Sequence, residues 1–283
     1  MRLIKTVLPI GLDRPFRFLH ASDHHIARAD ARDGERKMLL SAARSKAFCV
    51  EGKTAEEHWQ EHKAYVRSSG LPLLHTGDFC DFVSCCNLEY AREEFSGLDL
   101  FFAAGNHEFS LYVGETFEDE AYKLQNFARV QRYFHNHLLF DSCIMENVNF
   151  VAVDNGYYRF NAGQLFCLKE EVKKGLPIIL CMHNPLHTDD LYQKMRGERK
   201  NACAYLTGTP EEMLQDYDDY RYRQQKPDEE TLRFIDYVYE EKLIKAVLCG
   251  HLHENYETVL PSGIMQIVTG GGYKGYIREI ELR

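Results

Sequence analysis

The sequence predicts a layered α/β domain, and two observations lead there. Short apolar runs of strand length recur along the chain, most of them ending in polar residues. Helix-start signals and amphipathic stripes lie between those runs. Taken in order, FRFLHASDHH (16–25), LPLLHTGD (71–78), LDLFFAAGNHE (98–108), PIILCMHN (177–184) and KAVLCGHLH (245–253) each contain a near-continuous apolar part, as a strand buried on both faces would. VNFVAV (148–153), IMQIVT (264–269) and YIREIEL (276–282) read as further strands.

Helices are expected over 33–50, 84–96 and 118–134. Another follows the capping-box pair Thr54 and Glu57, over 55–69. Asn161 and Gln164 give the same signal ahead of a stripe at Leu165, Leu168 and Val172. Pro227 and the acidic residues 228–230 open one more, with Leu232, Ile235 and Tyr239 on one face. The span 187–227 breaks the rhythm. It is polar and rich in tyrosine, and reads as a lid-like insertion of helices and loops within a single domain, 1–283.

Composition narrows the function. The chain has 283 residues, 45% hydrophobic and 27% charged, enough for a sizeable core. A formal net charge of −9 argues against a broad nucleic-acid or anionic-membrane surface. Near the N-terminus, the apolar run of MRLIKTVLPIGLDRP is too short for a secretory signal and is broken by Pro9 and Asp13. The nine cysteines are therefore expected as free thiols in a reducing cytoplasm, with Cys181 and Cys249 buried.

Five of the runs deliver metal-ligand residue types just past a strand's carboxyl end, the edge where open α/β sheets build sites. The candidates are Asp23, His25, Asp78, Asn106, His183, His251 and His253, with Gly77, Gly105 and Gly250 at turns. If side chains alternate as on a strand, Asp23 and His25 point one way and His24 the other, and His251 and His253 converge. Carboxylate, amide oxygen and imidazole without thiolate favour Mn, Fe or Zn over a structural zinc site.

These pieces resemble the calcineurin-like metallophosphoesterase family: D-x-H at Asp23–His25, G-D-x-x-D at Gly77–Asp81, G-N-H-E at Gly105–Glu108, His183 before Asn184-Pro185, and G-H-x-H at Gly250–His253. The resemblance implies a four-layer α/β/β/α sandwich of mixed sheets with helices outside and a two-metal centre at its edge. One ion would be held by Asp23, His25 and His253, the other by Asn106, His183 and His251, with Asp78 bridging. His107 would meet the phosphate or protonate the leaving oxygen, and Asp81 and Glu108 would be supporting carboxylates that orient histidines. The implied chemistry is in-line attack on a phosphate ester by a hydroxide shared between the ions. A phosphodiesterase on nucleotides or a small diester is the leading expectation. A phosphomonoesterase or phosphoprotein phosphatase is the alternative, and a non-catalytic metal-binding scaffold is the reading of another class. Phe82-Val83 after G-D-x-x-D departs from the Arg-Gly of the protein phosphatases, and Cys80-Asp81 from the tyrosine of the purple acid phosphatases.

Other features compete for attention. HWQEH (58–62) matches the inverted zinc-protease spacing but reads as a solvated helix face. Tyr157, Tyr158, Arg159 and Arg196 either contact a substrate base or phosphate or are plain surface-loop residues. The stretch after Glu108, the loop DNGYYRF (154–160) and the 187–227 span are expected to wall the pocket. TGGGYKGY (269–276) is either a ligand-approaching backbone or a simple turn.

Overall fold

The structure is a computed structural model that describes residues 1–283. Its strands form two sheets. The first runs β1 (Arg2–Leu8), β11 (Tyr276–Leu282), β2 (Phe16–Ala21), β3 (Leu73–His75), β4 (Leu100–Phe102). The second runs β5 (Phe140–Met145), β6 (Val148–Val153), β7 (Ile178–Cys181), β8 (Ile244–Cys249), β10 (Met265–Val268), β9 (Tyr256–Val259). Both are mixed: β2, β3 and β4 are parallel, as are β6, β7, β8 and β10, while β11 lies antiparallel to β2 and β9 to β10.

The pleat sorts side chains into layers. Val148, Phe150 and Ala152 of β6 point between the sheets, where they meet Phe18, Leu74, Phe101, Ile179, Leu248, Ile267 and Ile280. Their neighbours Val151 and Val153 turn outward to Leu168 of α5 (Ala162–Val172) and to Phe234 and Val238 of α8 (Glu229–Glu240). On the far side, Leu19, Ala21, Leu73 and Phe102 pack under α2 (Ala55–Ser69), α3 (Cys85–Phe95) and α4 (Glu120–Gln131), through Trp59, Leu88 and Val130. α1 (Glu35–Ala47) follows the first ligand loop. The result is the expected four-layer α/β/β/α sandwich.

The capping boxes at Thr54/Glu57 and Asn161/Gln164 form as expected, and Asp228 caps α8. Three strands were not expected: β1, β5 and β9. Each is an edge strand of its sheet, where one flank lacks a partner and the sequence carries no continuous apolar run. The α8 stripe is also shifted. Phe234, Ile235 and Val238 are buried, but Leu232 is 45% exposed. HWQEH is not a solvated face: His58 and His62 are both buried in α2.

Residues 187–227 fold as α6 (Asp189–Gln193), a π-type turn over Lys194–Glu198, a 3-10 turn over Glu211–Leu214, and α7 (Asp219–Gln225). Leu191, Met195, Cys203, Leu206 and Leu214 join the apolar cluster outside the second sheet. All nine cysteines are free thiols, with Cys181 and Cys249 buried. No helix is long and apolar enough to cross a membrane.

Candidate metal centre

The carboxyl ends of β2, β3 and β4 from one sheet meet those of β7 and β8 from the other. The loops leaving them interlock. Beyond β2, the N–H groups of Asp23 and His25 donate to the carbonyls of Gly77 and Asp78, 2.9 Å each, so the first two loops run side by side. The His251 N–H donates to the Asp23 carboxylate at 2.9 Å, and the Gly250 N–H to the His183 carbonyl at 3.0 Å. The first of these bonds ties the second sheet's loop to the first sheet's, and the second joins two loops of the second sheet.

Side-chain direction here does not come from the pleat. Asp23, His25, Asp78, His251 and His253 all have left-handed backbone, with φ between 52° and 68°. β2 has already ended at Ala21. Both members of the D-x-H and H-x-H pairs are left-handed kinks, a costly conformation for non-glycine residues that concentrates at functional sites. These kinks, not strand alternation, bring Asp23 and His25 into one group, whereas His251 and His253 fall in different groups. The glycines also differ from expectation. Gly77 has φ 92°, but Gly105 and Gly250 are needed for closeness, since a Cβ would lie 2.2 Å from Asp78 Oδ1 at one and 1.8 Å from Ser22 Oγ at the other.

The candidate ligands gather in two groups, Asp23–His25–His253 and Asp78–His183–His251, with a third, His25–Asp78–His107, linking them, and within each the ligand atoms lie within 4.8 Å of one another. Asp78 Oδ2 stands 3.0 Å from His183 Nε2 and 3.8 Å from His25 Nε2, so it faces both groups. Asn106 Oδ1 is buried and has no hydrogen-bond partner. The Nε2 atoms of His25 and His253 face each other at 2.9 Å. An orphaned amide oxygen and opposed imidazole nitrogens, set among carboxylates, are what bound cations would reconcile. The donor set therefore fits divalent metal.

Each imidazole is held from behind by a different group. His25 Nδ1 meets Asp81 Oδ1 at 2.9 Å, and Arg44 forks onto the same carboxylate at 2.6 and 2.8 Å. His183 Nδ1 donates to the Thr76 carbonyl at 2.6 Å. His251 Nε2 pairs with the Tyr158 hydroxyl at 2.8 Å, and His253 Nδ1 with that of Tyr273 at 3.2 Å. Such partners fix tautomer and ring angle. Phe48 also lies flat on His25, with ring centroids 4.2 Å apart.

The electrostatics follow. Burial works against the charged forms of Asp23 and Asp78, but neighbouring imidazoles hold both carboxyls well below their usual range. Burial likewise opposes charge on His25 and His183. The surrounding carboxylates win, raising His25 to about 10 and His183 to about 9. At His251 and His253, by contrast, burial prevails and lowers the pKa.

Asp81 touches a histidine, His25, but Glu108 does not. Its carboxylate accepts from the N–H groups of Asp78, Phe79, Cys80 and Gly105, at 2.8 to 3.1 Å, and so clamps the Asp78 loop. Burial first, and Asp78 second, push its pKa up to about 7. His107 donates its backbone N–H to Asp78 Oδ1 at 2.9 Å. Its Nδ1 donates to the Asp81 carbonyl at 2.7 Å, which leaves Nε2 toward the cavity.

A cavity of about 410 Å³ opens over this floor. Asp78, Asn106, His107, His251 and His253 line its base, with Tyr158, Tyr205, Tyr220 and Arg221 on the walls. Of the four loop residues singled out, Tyr158 backs His251. Tyr157 is buried and donates to the Asn106 carbonyl at 3.2 Å. Arg159 pairs with Asp228, and Arg196 with Asp216, both outside this cavity. The Gly-rich stretch docks by backbone: Gly272 and Tyr273 donate to the carbonyls of Ser22 and Asp23, at 2.7 and 3.1 Å. Sequence reasoning missed Arg44, Phe48, Tyr273 and Arg221. Only Tyr273 carried a signal, its place in the glycine run.

A family model for calcineurin-like phosphoesterase matches residues 16–255. No curated protein matches the chain. Among solved structures, a Staphylococcus aureus protein provisionally named a 5'-nucleotidase is 14% identical, covering 92% of this chain and 49% of that one, with a TM-score of 0.46. A dimetal phosphatase from Danio rerio is 12% identical, with coverages of 92% and 88% and a TM-score of 0.45. A calcineurin-like phosphoesterase from Bacillus subtilis is 11% identical, with 93% and 83% covered and a TM-score of 0.43. The chain spans about half the length of the Staphylococcus aureus protein.

Proposed function

The chain belongs to the calcineurin-like phosphoesterase family, and from that premise we propose that it is a two-metal hydrolase of small phosphate esters, acting on a nucleotide or another small diester. The observation that carries this reading is the set of Asp/His groups linked through His25 and Asp78, of which Asp78, His251 and His253 line the cavity. In this reading Asp23, His25 and His253 hold one divalent ion, Asn106, His183 and His251 the other, and Asp78 both. Mn, Fe and Zn suit the donors. When bound, such ions neutralise charge developing on phosphorus and activate the attacking water.

The chain's own residues do the rest. Asp81, Thr76, Tyr158 and Tyr273 keep the four imidazoles aimed. Glu108 holds the Asp78 backbone, so the carboxylate cannot swing away. His107, with its Nδ1 proton committed to a carbonyl, presents Nε2 to the cavity; in its doubly protonated form it gives the Nε2 proton to the departing alkoxide and is left as the neutral ring. A cavity of about 410 Å³ is of small-molecule size, which supports a small ester over a folded phosphoprotein. A single domain, 1–283, and a reducing cytoplasmic setting complete the reading; the net charge of −9 disfavours nucleic acid as substrate.

The test is a paired rate measurement on p-nitrophenyl phosphate and bis-p-nitrophenyl phosphate, with protein loaded with Mn²⁺ and an EDTA control. Metal-dependent turnover favouring the diester is expected. Monoester preference would replace the diesterase reading by a phosphomonoesterase. No turnover of either by protein carrying two metal equivalents would favour the scaffold.

A further inference from the structure

Arg221 stands apart from the other arginines of its segment. In 187–227, Arg196 pairs with Asp216, Arg199 with Glu254 and Arg223 with Asp219. Arg221 lines the cavity and has no carboxylate within ion-pair distance. Its one side-chain hydrogen bond goes from Nη1 to Gln224 Oε1 at 2.8 Å, so its other N–H groups have no acceptor.

The guanidinium is nonetheless positioned. It lies 5.2 Å from the ring centroids of both Tyr205 and Tyr220. Tyr220 is fixed in turn, its hydroxyl meeting the Glu118 N–H and the Thr116 carbonyl at 3.3 Å. The Tyr205 ring stands 5.9 Å from the His251 ring, so a single aromatic ring separates Arg221 from the metal centre. Tyr205 holds that place with a left-handed backbone, φ 60°. Non-glycine residues keep such strain where the surroundings enforce it. A planar cation braced by two rings, with its donor edge free and half removed from water, is built to take an anion.

We infer that Arg221 is a specificity-determining residue that binds a second anionic group of the substrate, a phosphate or a carboxylate, while the scissile phosphate sits over Asp78. The inference rests on the phosphoesterase reading and gives that site a substrate class: compact phosphate esters with two separated negative groups. Tyr205 and Tyr220 act through Arg221 and are positioning residues.

The test uses three non-hydrolysable probes with metal-loaded protein and titration calorimetry: propylphosphonate, 3-phosphonopropanoate and propane-1,3-bisphosphonate. The first has one anion, and the others add a carboxylate or a second phosphonate. Wild-type protein should bind one or both two-anion probes about tenfold or more tighter than propylphosphonate, as charge-assisted hydrogen bonds imply. The tighter of the two identifies the anion. Arg221→Gln should bring all three within about twofold of one another without moving propylphosphonate, and Arg221→Lys should keep part of the preference. Equal binding of all three by wild type would overturn the inference. So would an equal loss on all three in Arg221→Gln, which would place the guanidinium on the scissile phosphate. Failure of the underlying reading looks different: neither nitrophenyl ester is turned over and none of the probes binds.

Discussion

His24 and His25 are neighbours in sequence and opposites in environment. His25 points into the ligand cluster, among Asp23, Asp78 and Asp81, whose carboxylates outweigh burial and raise its pKa to about 10. His24 points into the helical layer, against His75, His62 and Trp59, and burial pushes its pKa well down. Behind it runs a directional chain. The Gly77 N–H donates to His75 Nδ1 at 3.2 Å, which leaves His75 Nε2 as donor to His24 Nδ1 at 2.9 Å. His24 Nε2 then donates to His62 Nδ1, again at 2.9 Å. One backbone N–H therefore sets the tautomer of three imidazoles. A histidine becomes a candidate ligand through the carboxylates around it, while the same residue type without them becomes a neutral packing element.

The sharpest way to break this contrast is at Asp78. Asp78→Asn removes the negative edge shared by both groups while keeping shape. Activity of metal-replete protein should fall on the order of 10³-fold or more, as loss of a charge-stabilising group at a reacting centre implies. Wild-type-like turnover would sink the two-group assignment. His24→Ala should do the reverse. It leaves His75 Nε2 and His62 Nδ1 without partners in a buried space, which costs about 2–3 kcal/mol of stability. The folded variant should keep both metal equivalents by elemental analysis. Loss of one equivalent would mean that the buried stack belongs to the metal site after all.

How legible this was in the sequence depends on the region. The cavity side was legible because its residues come as short strings at the ends of buried strands, Asp23-His24-His25 and His251-Leu252-His253 among them. The buried side was not. In HWQEH the polar Glu and His residue types made the helix look solvated, yet His58, His62 and Val66 recur every fourth residue and form one buried face. Strands were found where apolar runs are continuous, the edge strand β4 included, and missed at the edge strands β1, β5 and β9, where polar residues interrupt the run. Arg221 had no signal at all. Its meaning lies in the carboxylate it lacks, which only the folded chain reveals.

Acid should sharpen the contrast. Burial lowers His62 to about 4 and His75 to about 3, below the ~6.5 of a free imidazole. The unfolded chain then binds more protons across that window, so stability is intact above pH ~6.5 and falls as pH drops toward those values. Each imidazole contributes about 1.4 kcal/mol per pH unit within its window. Urea unfolding of metal-free protein at pH 7 and pH 5.5 should show the midpoint dropping. In His62→Asn the drop should be smaller. An equal drop would place the acid sensitivity outside the stack.

The smallest effect separates holding a ligand from being one. Tyr158→Phe removes only the hydroxyl 2.8 Å from His251 Nε2 and leaves the ring that walls the cavity. His251 keeps its place near Asp78 and His183 but loses the partner that fixes its tautomer. Loss of such a partner costs about tenfold in metal affinity or activity. Activity at limiting Mn²⁺ should fall by about that factor and recover when metal is raised, because affinity rather than the proton-transfer step is what the hydroxyl supports. A loss that persists at saturating metal would instead put the Tyr158 hydroxyl on the substrate. The cavity side of the molecule would then contain one metal-supporting group fewer and one substrate-binding group more.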